Sequence, residues 1–236
     1  MDREALKDEF LRAAGLGDAH RRLLSGDAST RQYERLTTLS GTQLIFMDQP
    51  PALESVVCPP DATAAERMAL GYNAAARLAA GSVAAFVTTA AWLRDQGLSA
   101  PRVLAHDVDA GLAVLEDLGD GLYATLIADG APETPLYEAA VDALALMQGA
   151  PPPEVLDAGG VTWPLLTYDT LALKVATHTF LDWWPKLVGL APFGAAATAA
   201  WDALWAPVWA HGEAGAAVFT HRDYHAQNLL DRKSVV

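Results

Sequence analysis

Phe219-Thr220-His221-Arg222-Asp223-Tyr224-His225-Ala226-Gln227-Asn228-Leu229-Leu230 is the stretch whose reading decides the fold. It sets an aspartate and an asparagine five residues apart in a short polar loop with apolar residues on both sides. In phosphoryl-transfer sites a carboxylate at the first position takes the proton of the acceptor hydroxyl. An amide oxygen at the second holds a magnesium ion that bridges nucleotide phosphates. A loop this short turns both side chains toward one cleft. The spacing His-x-Asp-x-x-x-x-Asn arises by chance in about one chain of this length in a hundred, and the apolar flanks expected of a strand-loop-strand make it rarer still.

Outward from that loop, the elements fall into two halves. Near the N-terminus, Leu6, Phe10, Leu11 and Ala14 recur at helical spacing until Gly15 and Gly17 stop them. Residues 31–39 and 43–47 read as strands separated by the Ser40-Gly41 turn. Residues 101–105 and 112–115 form a hairpin pattern around Asp107, Asp109 and Gly111. Between the two strand pairs, residues 64–96 carry helical pattern, expected as two helices given Gly71 and Gly81, with 78–93 as a buried helix. From Leu122 onward helical pattern dominates, interrupted by Pro151-Pro152-Pro153 and Gly159-Gly160. An antiparallel sheet with one helical insertion, followed by a helical half, predicts an α+β protein of two unequal lobes with its ligand site in the cleft between them.

Composition narrows the function classes. With 236 residues and 52% hydrophobic content the chain can bury a full core. A formal charge of -13 without any Lys/Arg run argues against nucleic acid and anionic lipid as partners. The single cysteine, Cys58, cannot form an internal disulfide and fits a reducing compartment. The acidic N-terminus has no apolar signal region, and the most apolar stretch, 78–93, is too short and polar to span a bilayer. A cytoplasmic location follows as the expectation. His20, His106, His178 and His211 lack metal-ligand spacing, so zinc is not expected.

The loop His221-Arg222-Asp223 with Asn228 resembles the catalytic motif of the aminoglycoside phosphotransferase and choline kinase superfamily, which shares the protein-kinase fold. Two further segments resemble one branch of it, the anomeric N-acetylmuramate/N-acetylglucosamine kinases. Ser25-Gly26-Asp27-Ala28-Ser29-Thr30-Arg31-Gln32-Tyr33 is similar to their "DAS-x-R-x-Y" phosphate loop, and Met47-Asp48-Gln49-Pro50-Pro51 to their "MD-x-PP" strand end. Ala100-Pro101-Arg102-Val103-Leu104 and Leu115-Glu116-Asp117-Leu118-Gly119-Asp120 match in order and spacing, so the resemblance covers the chain through Leu230. It implies a bilobal protein-kinase-like fold: residues 1–118 as a nucleotide-binding N-lobe and 119–230 as a mostly helical C-lobe with the catalytic loop. It also implies ATP and Mg2+ as cofactors and a small amino sugar as acceptor, phosphorylated at its anomeric hydroxyl in peptidoglycan recycling.

The resemblance assigns roles residue by residue. Asp223 is the expected base and Asn228 the metal ligand. Ser25, Gly26, Asp27, Ala28, Ser29, Thr30 and Arg31 would cover the phosphates, where small residues let backbone N–H groups face an anion. Glu116, Asp117 and Leu118 would form the hinge that seats adenine through its backbone. Arg222, Tyr224, His225, Tyr168 and Trp183 are candidates for acceptor contacts, since aromatic faces stack on sugars. Protein kinases carry a lysine on the third strand, whereas residues 43–48 contain none. Arg31 or Arg35 is then the candidate cation. Two rival readings remain: a phosphotransferase of the same fold for an aminoglycoside, choline or homoserine, and a nucleotide-binding pseudokinase. Asp231-Arg232-Lys233-Ser234-Val235-Val236 is the translation of GATCGGAAGAGCGTCGTG, the start of a sequencing adapter. Residues 231–236 are therefore expected to be a non-native tail, and the chain to lack the second metal-ligating aspartate of the fold, which makes its own activity doubtful.

Overall fold

The computed structural model describes residues 2–24, 31–50, 56–79, 81–215 and 218–232. Five strands form one antiparallel sheet in the order β1 (His20–Leu23), β2 (Gln32–Thr37), β3 (Gln43–Asp48), β5 (Leu112–Glu116), β4 (Val103–Asp107). The strand predictions for the N-terminal half hold, and β1 extends the sheet beyond them.

Alternation along the strands gives the sheet two different faces. Leu36, Phe46, Leu112 and Val114 point to one side, where α1 (Arg3–Ala13) lays Leu6, Phe10 and Leu11 over them. Met47, Ala113 and Leu115 point to the other and meet Val83 and Val87 of α4 (Val83–Asp95). Leu36 and Phe46 are fully buried, and burying a side chain of this size contributes about 1.5–3 kcal/mol. Lys7 of α1 is buried as well, its ammonium 2.6 Å from Glu4 and 3.4 Å from both Glu34 and Asp48. Arg3 also pairs with Asp48. At the β4–β5 turn, Gly111 has a φ of +71, and a Cβ there would stand 2.0 Å from the Gln49 carbonyl oxygen. Only glycine fits that approach.

The helical insertion differs from the two-helix expectation. It forms α2 (Ala64–Leu70), α3 (Tyr72–Ala75) and then α4, which starts only at Val83. Alanine abundance gives a continuous helical signal across 64–96. Gly71, with φ +100, breaks it once, and Ser82 restarts it by accepting the Ala85 N–H. A capping box, Thr63 with Glu66, fixes the start of α2.

The second half holds α5 (Tyr123–Ala128), α6 (Glu133–Gln148), α7 (Thr170–Val188) and α8 (Ala195–Ala214). The interruption read around Gly159-Gly160 is a second, two-stranded sheet, β6 (Val155–Ala158) paired with β7 (Val161–Pro164). Its tight turn needs positive φ at both glycines, +61 and +78. The hairpin packs on α4, and the Gly159 carbonyl lies 3.1 Å from His106 Nε2 of β4. The helical half therefore reaches back onto the sheet half. No helix of the described residues is long and apolar enough to cross a membrane.

Candidate active site

The loop after Phe219 is anchored at both ends. Phe219 is buried against Trp92 of α4, ring centres 4.9 Å apart. From Ala226 on, the chain pairs with the start of the helical half: Ala124 N–H donates to the Ala226 carbonyl, Tyr123 N–H to Leu229, and Asp231 N–H to Gly121. Between these anchors Asp223 and Asn228 converge. Asn228 Nδ2 donates to Asp223 Oδ2 at 2.6 Å and to the Asp223 carbonyl at 3.0 Å. His225 Nε2 stands 3.1 Å from Asp223 Oδ1. The Asp223 carboxylate is 70% exposed, open to a soluble acceptor. His221 is crowded by the surrounding chain, which lowers its pKa, while Asp223 pulls the other way. Its imidazole is therefore biased toward the neutral form.

Arg222 adopts a left-handed backbone, φ +68. Its guanidinium donates to the carbonyls of Ala76 at 2.7 Å and Arg77 at 3.1 Å, and lies 3.9 Å over the Tyr168 ring. Tyr224 donates its hydroxyl to the Ala140 carbonyl of α6 at 2.6 Å, and burial raises its pKa. Of the acceptor-contact candidates, then, Arg222, Tyr168 and Tyr224 hold protein groups in this structure, and His225 flanks Asp223. Trp183 lies on the outer side of α7, 65% exposed and 4.4 Å from the Lys186 ammonium.

The hinge candidates follow the end of β5. Glu116 is the last residue of that strand and accepts from Arg232 at 2.8 Å and from the Arg102 N–H at 3.2 Å. Asp117 accepts the Gly119 N–H at 2.8 Å, and Leu118 is half-buried. Arg35 of β2 reaches this segment from the α4 side of the sheet. Its Nε lies 2.6 Å from Asp117 Oδ2, and its Nη atoms bond Asp120 at 2.7 and 3.0 Å. Asp120 above all raises the Arg35 pKa, and Arg35 lowers that of Asp120. Arg35 is thus a clasp between sheet and hinge. Asp231 and Arg232, read on sequence as part of a tail, both bond to residues of the fold; residues 233–236 lie outside the described residues.

Ser25, Gly26, Asp27, Ala28, Ser29 and Thr30 also lie outside the described residues. Arg31, which follows them, donates to the Gln49 side chain at 2.9 Å and to the Tyr33 hydroxyl at 3.2 Å, and stacks over Phe86 of α4 at 5.8 Å. Tyr33 packs with Met47 and Leu115, so Arg31 sits on the same side of the sheet as Arg35. Met47 and Asp48 close β3, which carries no lysine.

Magnesium prefers oxygen donors and keeps most of its shell for water and phosphate, so one or two protein ligands suffice. Asn228 offers one such oxygen, beside Asp223. Among the described residues no group of three or more His, Cys, Asp or Glu gathers as a metal cluster. The residues that sequence reasoning missed are Arg67, Arg77 and Asp169. Asp169 was recognisable as the N-cap of α7, whereas its arginine partners lie about 100 residues away in sequence and leave no local signal.

The protein-family comparison matches residues 20–235 to the phosphotransferase enzyme family, APH. The chain is 62% identical to an N-acetylmuramate/N-acetylglucosamine kinase of Caulobacter vibrioides, over 97% of this chain and 62% of that protein. It is 30% and 29% identical to proteins of the same name from Pseudomonas aeruginosa and Pseudomonas putida, over 87% of this chain and 50% of each. It thus spans between half and two-thirds of the length of these relatives. The five-stranded sheet, the paired Asp223 and Asn228, and the family match over most of its length agree: this chain belongs to the phosphotransferase enzyme family.

Proposed function

We propose that the protein transfers the γ-phosphoryl group of ATP to the anomeric hydroxyl of N-acetylmuramate or N-acetylglucosamine, giving a sugar 1-phosphate and ADP for peptidoglycan recycling. The observation that carries the reading is the Asp223–Asn228 pair, 2.6 Å apart in a loop clamped at both ends. The 62% identity to the Caulobacter kinase favours amino sugars over aminoglycosides, choline or homoserine as acceptors.

Asp223 takes the proton of the attacking hydroxyl as its oxygen bonds to the γ-phosphorus and the bond to the β-phosphate oxygen breaks. An anomeric hydroxyl is more acidic than other sugar hydroxyls, so a carboxylate suffices as base. Asn228 would hold Mg2+, which when bound supplies charge neutralisation to the phosphates. Arg31, on the α4 side of the sheet, is the cation in place of the third-strand lysine, with residues 25–30 covering the phosphates. Backbone groups at Glu116, Asp117 and Leu118 seat adenine. His225 orients the Asp223 carboxylate.

The test is ATP consumption by the protein extended from its source DNA to the length of its relatives, with N-acetylmuramate, N-acetylglucosamine and an aminoglycoside panel, beside Asp223→Ala. The expected result is turnover with an amino sugar that falls by about 10²–10⁴-fold in the variant. Turnover with aminoglycosides alone, or none with any acceptor despite bound magnesium-ATP, overturns the proposal.

A further inference from the structure

Three segments far apart in sequence close a circuit around the residue that precedes Asp223. The first is the arm α2–α3 with Ala76 and Arg77 that follow it. The second is Thr167, Tyr168 and Asp169, leading into α7. The third is Arg222. Every side of the triangle is bonded. From arm to α7, Arg67 makes a two-pronged contact with the Asp169 carboxylate at 2.5 and 2.9 Å. Arg77 adds 3.1 Å to the same carboxylate and donates to the Thr167 carbonyl at 2.7 Å. From arm to loop, the Ala76 and Arg77 carbonyls receive Arg222. From loop to α7, the Arg222 guanidinium stacks on Tyr168.

The arginines are committed to these places. Arg67 is 3% exposed although it lies on a short helix, and its second nitrogen also donates to the Ala75 carbonyl at 2.7 Å. Asp169 caps α7 through the Ala172 N–H at 2.9 Å while it receives both arginines. The two non-glycine residues with positive φ among the described residues are Arg77 at +52 and Arg222 at +68. Both are in this circuit, one at each end of the same hydrogen bond. Such backbone conformations persist where surrounding contacts over-determine them.

We propose that the α2–α3 arm is a positioning element of the phosphoryl-transfer centre, holding the direction of Asp223 through Arg222, with Asp169 as its anchor. The exposed Asp223 side chain contacts Asn228 and His225 of its own loop, so the outside references for its orientation come through its chain neighbours, Tyr224 held on the Ala140 carbonyl and Arg222 held on this circuit. This role rests on Asp223 being the base proposed above.

Hydrogen–deuterium exchange on the 236-residue chain tests it without needing turnover, so its failure is separable from failure of the sugar-kinase reading. In Asp169→Ala, exchange is expected to rise at least about tenfold both in the arm and in 218–232, with β2, β3 and β5 unchanged. A rise confined to the arm overturns the proposal. Arg222→Met cuts the circuit on the other side and keeps Asp169, so it decides the matter if Asp169→Ala fails to fold. Arg222→Lys, which still donates to carbonyls, is expected to restore most of the protection lost in Arg222→Met; equal losses in the two count against the contact. In ATP-consumption assays Arg222→Met is expected to lower kcat at least about tenfold with the KM for ATP within about twofold. A shift in that KM with kcat preserved overturns the positioning role.

Discussion

The sheet with α1 and the α7–α8 pair use similar numbers of large apolar residues and treat them in opposite ways. On the sheet, Leu36, Phe46, Leu112 and Val114 are wholly enclosed, and charged residues such as Lys7 and Glu34 are drawn under cover as partners. On α7 and α8, Trp183, Leu187 and Leu204 are each at least 65% exposed, and Trp209 is the single buried residue of α8. The two helices are joined by a stack of Phe180 on Trp201, ring centres 5.2 Å apart, and by Asp202, which takes Lys174 and His178 at 2.6 Å each. Hydrophobic composition therefore does not rank the two regions. What ranks them is whether a second layer lies on the apolar face.

The largest test of that contrast is a pair of truncations. Phe46→Ala is expected to cost about 4 kcal/mol in denaturant unfolding, because it removes enclosed surface and leaves a cavity. Leu204→Ala is expected to stay within about 0.5 kcal/mol, since its side chain already faces water. Equal losses would show that the helices carry as much of the fold as the sheet.

Next comes the clasp between sheet and hinge. Arg35→Met is expected to cost about 3 kcal/mol, because it strands Asp117, whose side chain is 6% exposed, without its counter-charge. Adding Asp117→Asn should recover part of that loss. If the double variant is as unstable as the sum of the singles, the pair is not coupled, and the sheet layer ends at its own strands.

The smallest effect is a pH dependence at the arm. Burial alone would raise the Asp169 pKa, but the Arg67 hydrogen bonds and the Ala172 N–H outweigh it and hold it below 3.8. A carboxyl depressed in the folded state adds stability above its unfolded pKa and loses it as pH falls through the folded value. Unfolding followed from pH 5 downward is therefore expected to steepen below about pH 4. Asp169→Asn should flatten that limb by under about 1 kcal/mol, as the carboxylate is partly open to solvent. An unchanged limb would place acid sensitivity elsewhere.

Much of this was legible because the informative features are local. His221, Asp223 and Asn228 lie in one loop, and the apolar run Leu44-Ile45-Phe46-Met47 after the Ser40-Gly41 turn marks a strand. The acidic segment leaving β5, read as the adenine-seating hinge, stood out for the same reason. The buried charges were not. Lys7 sits in a helix whose charge pattern reads as solvated, and its place under Glu34 and Asp48 depends on α1 crossing the sheet. Arg67 likewise looks like an exposed residue of a short helix until Asp169 arrives from α7. The β6–β7 hairpin was hidden because each strand is four residues long, too short for alternation to stand out beside proline and glycine.

The backbone bonds that tie residues 121–124 to 226–231 carry a further consequence. They make the exit from the hinge and the segment behind Asn228 neighbours in one small ladder of peptide groups. On the roles proposed above for residues 116–118 and Asn228, that ladder turns the spacing between the adenine end and the phosphate end of the site into a length measured in main chain. Side chains along it can change without altering that length. A residue inserted or deleted between Gly121 and Tyr123, however, would move one end of the ruler against the other.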